Sequence, residues 1–107
     1  MPFEIVLAPE AATALRAMPV PVRTGVQEAI RRHLTHEPGK ASKSRIKRLR
    51  GLSQPQYRLR VDDIRVFYDV TETQVQVLAI VTKAEAQTWL DEQGTAAEDE
   101  GGGAGGS

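Results

Sequence analysis

The chain has no cysteine, and aromatic residues make up only 5% of its 107 residues. Without cysteine it can form neither a disulfide nor a cysteine-ligated metal site, so nothing in it requires an oxidising compartment. Long apolar runs are also missing, and the N-terminal segment Met-Pro-Phe-Glu-Ile-Val-Leu carries an acid but no basic residue. We therefore expect neither a signal peptide nor a membrane span, and we expect a cytoplasmic protein.

A net charge is lacking too, because 14 basic residues balance 14 acidic ones. The balance hides an asymmetry. Residues 1–65 hold 13 basic and 6 acidic residues (+7), and residues 66–107 hold 1 basic and 8 acidic residues (−7). Phosphate binding depends on local clusters of cations rather than on total charge. The first part of the chain is thus predicted to face a polyanion, with nucleic acid the first partner to consider.

The length and the 40% hydrophobic content suit one small domain. Residues 1–92 are predicted to fold, whereas residues 93–107 are predicted to be a disordered acidic, glycine-rich tail. Apolar periodicity predicts the order β-α-α-β-β-β-α. The expected class is α+β, a small antiparallel sheet packed with an N-terminal helical hairpin and a C-terminal helix. The helices are expected to cover the apolar face of the sheet.

Two alternating segments at 57–61 and 64–70 are separated only by residues 62–63. A two-residue hairpin loop fixes their register, and the apolar residues then share one face of the sheet. The other face carries Arg58, Arg60, Arg65 and Phe67.

Three arginines on one face of a hairpin repel one another unless an anion or an acid lies between them. This cost suggests that the arginines bind an anionic partner. The alternative is that neighbouring acids pair with them on a solvated sheet, the candidates being Asp62, Asp63 and Asp69.

The segment 40–51 contains six cations and no acid, interrupted by Ile46 and Leu49. One interpretation is a solvated loop anchored by those two apolar residues. The other is a set of phosphate contacts, which we expect to be nucleic-acid-binding residues: Lys40, Lys43, Arg45, Lys47, Arg48 and Arg50.

Four segments together resemble the RelE/ParE family of toxins from bacterial toxin-antitoxin pairs. They are Lys47-Arg48-Leu49-Arg50-Gly51, Tyr57-Arg58-Leu59-Arg60-Val61, Ile64-Arg65-Val66-Phe67-Tyr68-Asp69-Val70 and Val77-Leu78-Ala79-Ile80-Val81. The resemblance spans residues 3–90 and implies a ribosome-dependent endonuclease that cuts messenger RNA. It also implies a cognate antitoxin protein, with the ribosome and mRNA as further partners and no cofactor or metal. The alternatives are a ParE-like gyrase poison or a toxin of this fold whose chemistry has decayed.

Matched by motif, the resemblance implies catalytic roles for Arg58, Arg60, Arg65 and Lys83. Arginine stays protonated and makes a poor general base, so Lys83 is the expected proton-transfer group. The tyrosine that the family commonly has after the last strand has no counterpart here, which keeps the non-cleaving alternatives open. Because Arg65 is expected on an exposed face, Arg65→Ala is expected to change stability by less than about 0.5 kcal/mol while toxicity falls.

Two histidines and a tryptophan have both functional and structural interpretations. His33 and His36 would suit a ribonuclease, but their spacing near a helix end favours packing for His33 and a helix-dipole role for His36. A metal site formed by these two histidines with Glu37 is less favoured than a ribonuclease role. Trp89 could stack on a base, although beside Ala86 and Leu90 it is more often a core residue.

Overall fold

The computed structural model describes residues 1–97. The chain forms β1 (Glu4–Leu7), α1 (Pro9–Ala17), α2 (Val20–Leu34), β2 (Ile46–Arg48), β3 (Leu52–Gln54), β4 (Tyr57–Val61), β5 (Ile64–Val70), β6 (Gln74–Thr82), α3 (Lys83–Gln93) and β7 (Thr95–Ala96). The predicted α+β class is confirmed, and the short strands β2, β3 and β7 are additional to the predicted order. Within residues 1–97, no helix combines the length and the apolar character needed to cross a membrane.

Five strands form one sheet in the order β1-β6-β5-β4-β2, and β3 pairs with β7 in a separate small sheet. Strands β2, β4, β5 and β6 run antiparallel, as predicted for the meander, but β1 runs parallel to β6. The sheet is therefore mixed rather than purely antiparallel. Because β1 and β6 are far apart in sequence, no local turn constrains their relative direction.

The β4–β5 hairpin has the predicted register. Arg58 lies opposite Phe67, Arg60 opposite Arg65, and Val61 opposite Ile64. Asp62 has a φ of 52°, the left-handed conformation that the two-residue hairpin loop requires and that aspartate tolerates. The alternation of apolar and polar residues, together with the two-residue loop, therefore predicted correctly which side chains of the hairpin share a face.

Helices α1 and α2 cover the apolar face. Residues Val26, Ile30 and Leu34 recur every four positions along α2, so they form one buried stripe. They join a core formed with Ala11, Leu15, Ile46, Leu59, Val61, Ile64, Val66, Tyr68, Val75, Val77 and Ile80.

Helix α3 lies over the other face, so the expectation that all the helices cover the apolar face is wrong for α3. The Trp89 ring stacks on the Phe67 ring at 5.2 Å with an interplanar angle of 5°. Phe67 is buried, at 1% exposure, although it lies on the side of the hairpin that carries the arginines. An aromatic ring on that face needs an apolar cover, and Trp89 supplies it.

The ordered chain continues past α3 into β7, where the sequence predicts the start of a disordered tail. The amide of Ala97 donates to the Gly51 carbonyl at 3.0 Å, so residues 94–97 lie against the β3 segment. Gly94 permits this turn, because a Cβ there would lie 2.6 Å from the Leu90 carbonyl oxygen. The rest of the predicted tail, residues 98–107, lies outside the described residues.

Candidate nucleic-acid interface

The sheet face opposite α1 and α2 carries four cations, Lys47, Arg58, Arg60 and Arg65, and we call it the basic face. Pairing of β2 with β4 places Lys47 opposite Arg58. Pairing of β4 with β5 places Arg60 opposite Arg65. Cations from three adjacent strands therefore meet on one surface.

Arg58 is half-buried between Lys47 and Phe67 on the neighbouring strands. Its Nε is fully buried and has no hydrogen-bond partner in the part of the chain that the structure describes. Burial lowers the pKa of Arg58, and the charges of Arg65 and Arg60 lower it further. A buried donor without a partner costs free energy, and a bound anion would relieve the repulsion that Arg65 and Arg60 exert on Arg58.

Arg60 and Lys47 are the accessible cations of the basic face, since both are exposed. The Arg60 amide donates to the Arg45 carbonyl at 2.9 Å, so the pairing of β4 with the chain entering β2 continues one residue beyond the strand. The backbone around Arg60 is thus held on both sides, while its guanidinium faces solvent. This arrangement suits electrostatic contact with a phosphate.

Arg65 differs from the expectation of an exposed side chain, because only 8% of it is exposed. Its Nη1 donates to the carbonyl of Asp62 at 2.8 Å and to the carbonyl of Ile64, the preceding residue, at 3.0 Å. The guanidinium therefore stabilises the hairpin loop. The expectation that Arg65 is exposed is therefore wrong, and the small stability change expected for Arg65→Ala depended on it.

Within the described part of the chain, no acidic side chain forms an ion pair with these arginines. The Asp69 carboxylate accepts from Gln54 Nε2 at 2.7 Å and from the Gln56 amide at 2.8 Å, so it orders the chain between β3 and β4 instead. Within residues 1–97 the ion pairs join Arg31 to Glu28 and Lys40 to Glu37. The alternative in which Asp62, Asp63 or Asp69 pairs with the basic face is therefore not supported.

The cations of segment 40–51 do not form one surface, because part of the segment is the strand β2. Strand alternation places Lys47 on the basic face and turns Arg48 to the other side, where it lies 5.1 Å from the Tyr57 ring. The side chain of Arg45 lines a cleft beside α2. Lys40, Lys43 and Arg50 are exposed. The sequence signal for this strand was the change from apolar Ile46 to charged Lys47, which is typical of a strand with one buried face. The structure buries Ile46.

Lys83, the first residue of α3, lies at the hairpin end of the sheet. Its amide donates to the Asp63 carbonyl at 2.8 Å, and its side chain is exposed. Since Arg65 bonds to the carbonyl of Asp62, the structure brings Arg65 and Lys83 to the same loop. Both tyrosines of the chain lie on the apolar side, where Tyr57 and Tyr68 stack at 5.4 Å, so the basic face has no tyrosine.

The two histidines lie away from the basic face, in the cleft between the end of α2 and β2. His33 is half-buried, and His36 is exposed. Burial lowers the pKa of His33, with further lowering by Arg45 and Arg32. Among residues 1–97, no three histidine or acidic side chains gather closely enough to hold a metal ion.

Solved structures share this architecture, whereas no protein-family model and no curated protein matches the sequence. The archaeal RelE-RelB complex from Pyrococcus horikoshii OT3 matches with a TM-score of 0.63 and 24% identity, over 78% of this chain and 97% of that chain. The toxin-antitoxin complex RelBE2 from Mycobacterium tuberculosis matches with a TM-score of 0.58 and 21% identity, over 77% and 99%. The YoeB dimer from Staphylococcus aureus matches with a TM-score of 0.54 and 15% identity, over 74% and 94%. At these identities the likeness establishes the fold, and the chain adopts the RelE-like toxin fold.

Proposed function

We propose that the chain is the toxin of a toxin-antitoxin pair and that it cleaves messenger RNA on the ribosome through its basic face. The observation that carries the proposal is Arg58, whose buried Nε has no hydrogen-bond partner among residues 1–97, while Arg60 and Lys47 lie exposed beside it. Unpaired cations held by three strands form a preorganised site for a phosphodiester.

The chemistry needs a group that promotes deprotonation of the 2′-hydroxyl, cations that stabilise the phosphorane, and an acid for the departing 5′-oxygen. Arg58 and Arg60 supply positive charge at the phosphate. Lys83 is the proton-transfer group in this proposal, because lysine exchanges protons more readily than arginine. Arg65 holds the loop that sets the position of Lys83, so its contribution includes positioning as well as charge.

Induced expression in a bacterial host tests the proposal. Growth should stop, and primer extension on messages from the arrested cells should show cuts within codons. Intact messages during growth arrest would contradict the nuclease proposal. The variant Lys83→Ala separates chemistry from binding, since ribosome binding should persist while cleavage falls.

A second candidate function is a non-cleaving protein of the same fold, either a gyrase poison or a decayed toxin. The observation that favours it is the absence of a tyrosine from the basic face, since Tyr57 and Tyr68 both lie on the apolar side. Inhibition of DNA supercoiling by the purified protein would favour the gyrase poison. Expression without any growth arrest would favour decay.

An antitoxin partner is part of the proposal. The structural neighbours include RelE-RelB complexes from Pyrococcus horikoshii OT3 and Methanococcus jannaschii, and the basic face would attract an acidic segment of a partner. We expect a small reading frame beside the gene, whose product co-purifies with the chain and suppresses growth arrest. If co-expression of that product neither binds nor protects, the partner assignment fails.

A further inference from the structure

A second cluster of cations lies outside the basic face, in the cleft between the C-terminal end of α2 and the chain entering β2. The cleft has a volume of about 300 Å³. Its lining includes Arg32, His33 and His36 from the α2 side, and Lys40 and Arg45 from the other. Nothing in the proposed nuclease mechanism uses the histidines or Arg32.

The charge balance of the cleft favours an anion. Glu37 is the one acid in its lining, and its carboxylate pairs with Lys40 Nζ at 3.8 Å. No carboxylate within the described residues 1–97 pairs with Arg32 or Arg45. Two arginines and two histidines therefore line the cleft without an ion-pair partner among residues 1–97, and this donor set suits a phosphate.

Local hydrogen bonds hold the β2 side of the cleft in place. The Ser42 hydroxyl accepts from the amide of Arg45 at 3.1 Å and from the amide of Ile46 at 3.2 Å. Buried Ile46 anchors the same turn in the core. Arg45 is thus presented on an ordered turn, which lowers the entropy lost when it binds a ligand.

We propose that this cleft binds a phosphate group, carried either by a polynucleotide backbone or by a small phosphorylated molecule. The site does not depend on nuclease activity, and it can exist on a toxin of either branch. The lowered pKa of His33 makes binding dependent on pH. Burial, Arg45 and Arg32 disfavour the His33 imidazolium, and a bound phosphate would stabilise it, so a given phosphate ion should bind the protonated imidazole more tightly than the neutral one.

The test is an NMR titration of the His33 and His36 ring protons in the full chain, with potassium phosphate compared with potassium chloride at equal ionic strength. Phosphate should raise the apparent pKa of His33 by about one unit, the size expected for a nearby opposite charge. By linkage, this corresponds to about tenfold tighter binding to the protonated form. An equal shift in both salts, or no shift in either, would overturn the proposal.

A matched pair of variants locates the site. Arg32→Gln should weaken phosphate binding about tenfold, the effect of losing a charged hydrogen bond. Arg31→Gln removes the neighbouring exposed charge, which pairs with Glu28 at 3.5 Å and does not line the cleft, so binding should persist. If both variants weakened phosphate binding equally, the effect would come from net charge alone, and the proposed site would be refuted.

A competition experiment distinguishes the two sources of phosphate. A short 2′-O-methyl RNA, which cannot be cleaved through its 2′-hydroxyl, is added to the protein with inorganic phosphate bound. Displacement detected at His33 assigns the cleft to a polynucleotide backbone, and retention of phosphate assigns it to a small phosphorylated molecule. Because toxicity is not measured, this result is independent of the proposed nuclease function.

Discussion

Four cations share one face of the sheet, but they differ in how deeply their side chains are buried. Strand alternation brings Lys47, Arg58, Arg60 and Arg65 together, but only Lys47 and Arg60 are exposed. Arg58 is half-buried with an unpaired Nε, and Arg65 is buried against the hairpin loop. The same residue type therefore performs different tasks a few ångströms apart, and single substitutions can separate them.

Arg58→Met should strongly reduce cleavage without loss of stability. Methionine keeps the unbranched apolar stem, while the substitution removes a desolvated charge that Arg65 and Arg60 repel. We expect unchanged or higher thermal stability, and a fall of about 100-fold in cleavage, as for loss of a preorganised charge donor. Arg31→Met, on the exposed surface of α2, is the control. A large drop in melting temperature for Arg58→Met alone would instead make Arg58 a structural residue.

Arg65→Ala should destabilise the protein by about 1–2 kcal/mol, because the substitution removes one hydrogen bond to the Asp62 carbonyl in the loop and one to the Ile64 carbonyl at the start of β5. Arg60→Ala, opposite it in the sheet, should leave the free energy of unfolding within about 0.5 kcal/mol of the parent value, because Arg60 is exposed. Urea denaturation of the two variants checks this contrast. Equal stabilities would mean that the loop does not need the Arg65 guanidinium.

Tyr68 predicts how stability depends on alkaline pH. Burial raises the pKa of Tyr68, with a further contribution from Tyr57, and its hydroxyl donates to the Pro38 carbonyl at 2.7 Å. The folded state therefore keeps Tyr68 neutral above about pH 10, where an unfolded tyrosine ionises. This stabilisation is complete below about pH 10 and is lost as pH rises, by at most about 1.4 kcal/mol per pH unit.

The variant Tyr68→Phe tests this dependence. It should cost about 1 kcal/mol near neutral pH, because it removes one buried hydrogen bond, and it should flatten the decline in stability above about pH 10. Denaturant titrations of both proteins across this range give the difference curve directly. Parallel curves would show that Tyr68 does not control alkaline stability.

Among the secondary-structure elements, α3 depends most on its own termini. It contains no fully buried residue, and its main aromatic contact with the sheet is Trp89 on Phe67. A capping box begins the helix: Thr82 Oγ1 accepts from the Glu85 amide at 3.2 Å, and the Glu85 carboxylate accepts from the Thr82 amide at 3.1 Å. The helix that covers part of the basic face is therefore held by its capping box, by the hydrogen bond from the Lys83 amide to the Asp63 carbonyl and by the Trp89–Phe67 ring pair.

Thr82→Ala should loosen α3 selectively. Loss of the N-cap costs about 1 kcal/mol, and a helix with few buried contacts should respond by local opening rather than by global unfolding. Hydrogen exchange should accelerate several-fold at the α3 amides and stay unchanged in β5 and β6. Thr13→Ala, in the middle of α1, is the control substitution. Uniform acceleration across all elements would show that α3 is not a separate opening unit.

At the scale of the whole molecule, the zero net charge conceals strong local fields. Removal of residues 98–107 deletes three acids and no base, leaving 14 basic and 11 acidic residues and a formal charge of +3. We expect the shortened chain to bind single-stranded RNA more tightly at low salt, with a difference that diminishes as ionic strength rises. Fluorescence anisotropy with a short 2′-O-methyl RNA checks this. Equal affinities at low salt would show that those acids do not influence the basic face.

The sequence by itself determined the meander and the hairpin register, because both depend on local rules. Alternation has a period of two residues, and a two-residue loop leaves a single pairing for Arg60 and Arg65. The parallel pairing of β1 with β6 could not be predicted from the four residues of β1, because the two strands lie about seventy positions apart in the sequence. The sequence also did not show that part of segment 40–51 joins the sheet as its edge strand, β2.

Only the tertiary structure decided which cations are free to act. Exposure depends on what packs over a side chain from elsewhere in the chain, and periodicity carries no information on that. Helix α3 packs over Phe67 and buries part of a face that alternation predicts as solvated. Arg65 is buried because its guanidinium donates hydrogen bonds to the carbonyls of Asp62 and Ile64. The histidine cleft exists because the chain after α2 turns at Ser42 to place Arg45 beside His33. Eleven residues separate the two in the sequence, so the sequence does not show that they are close.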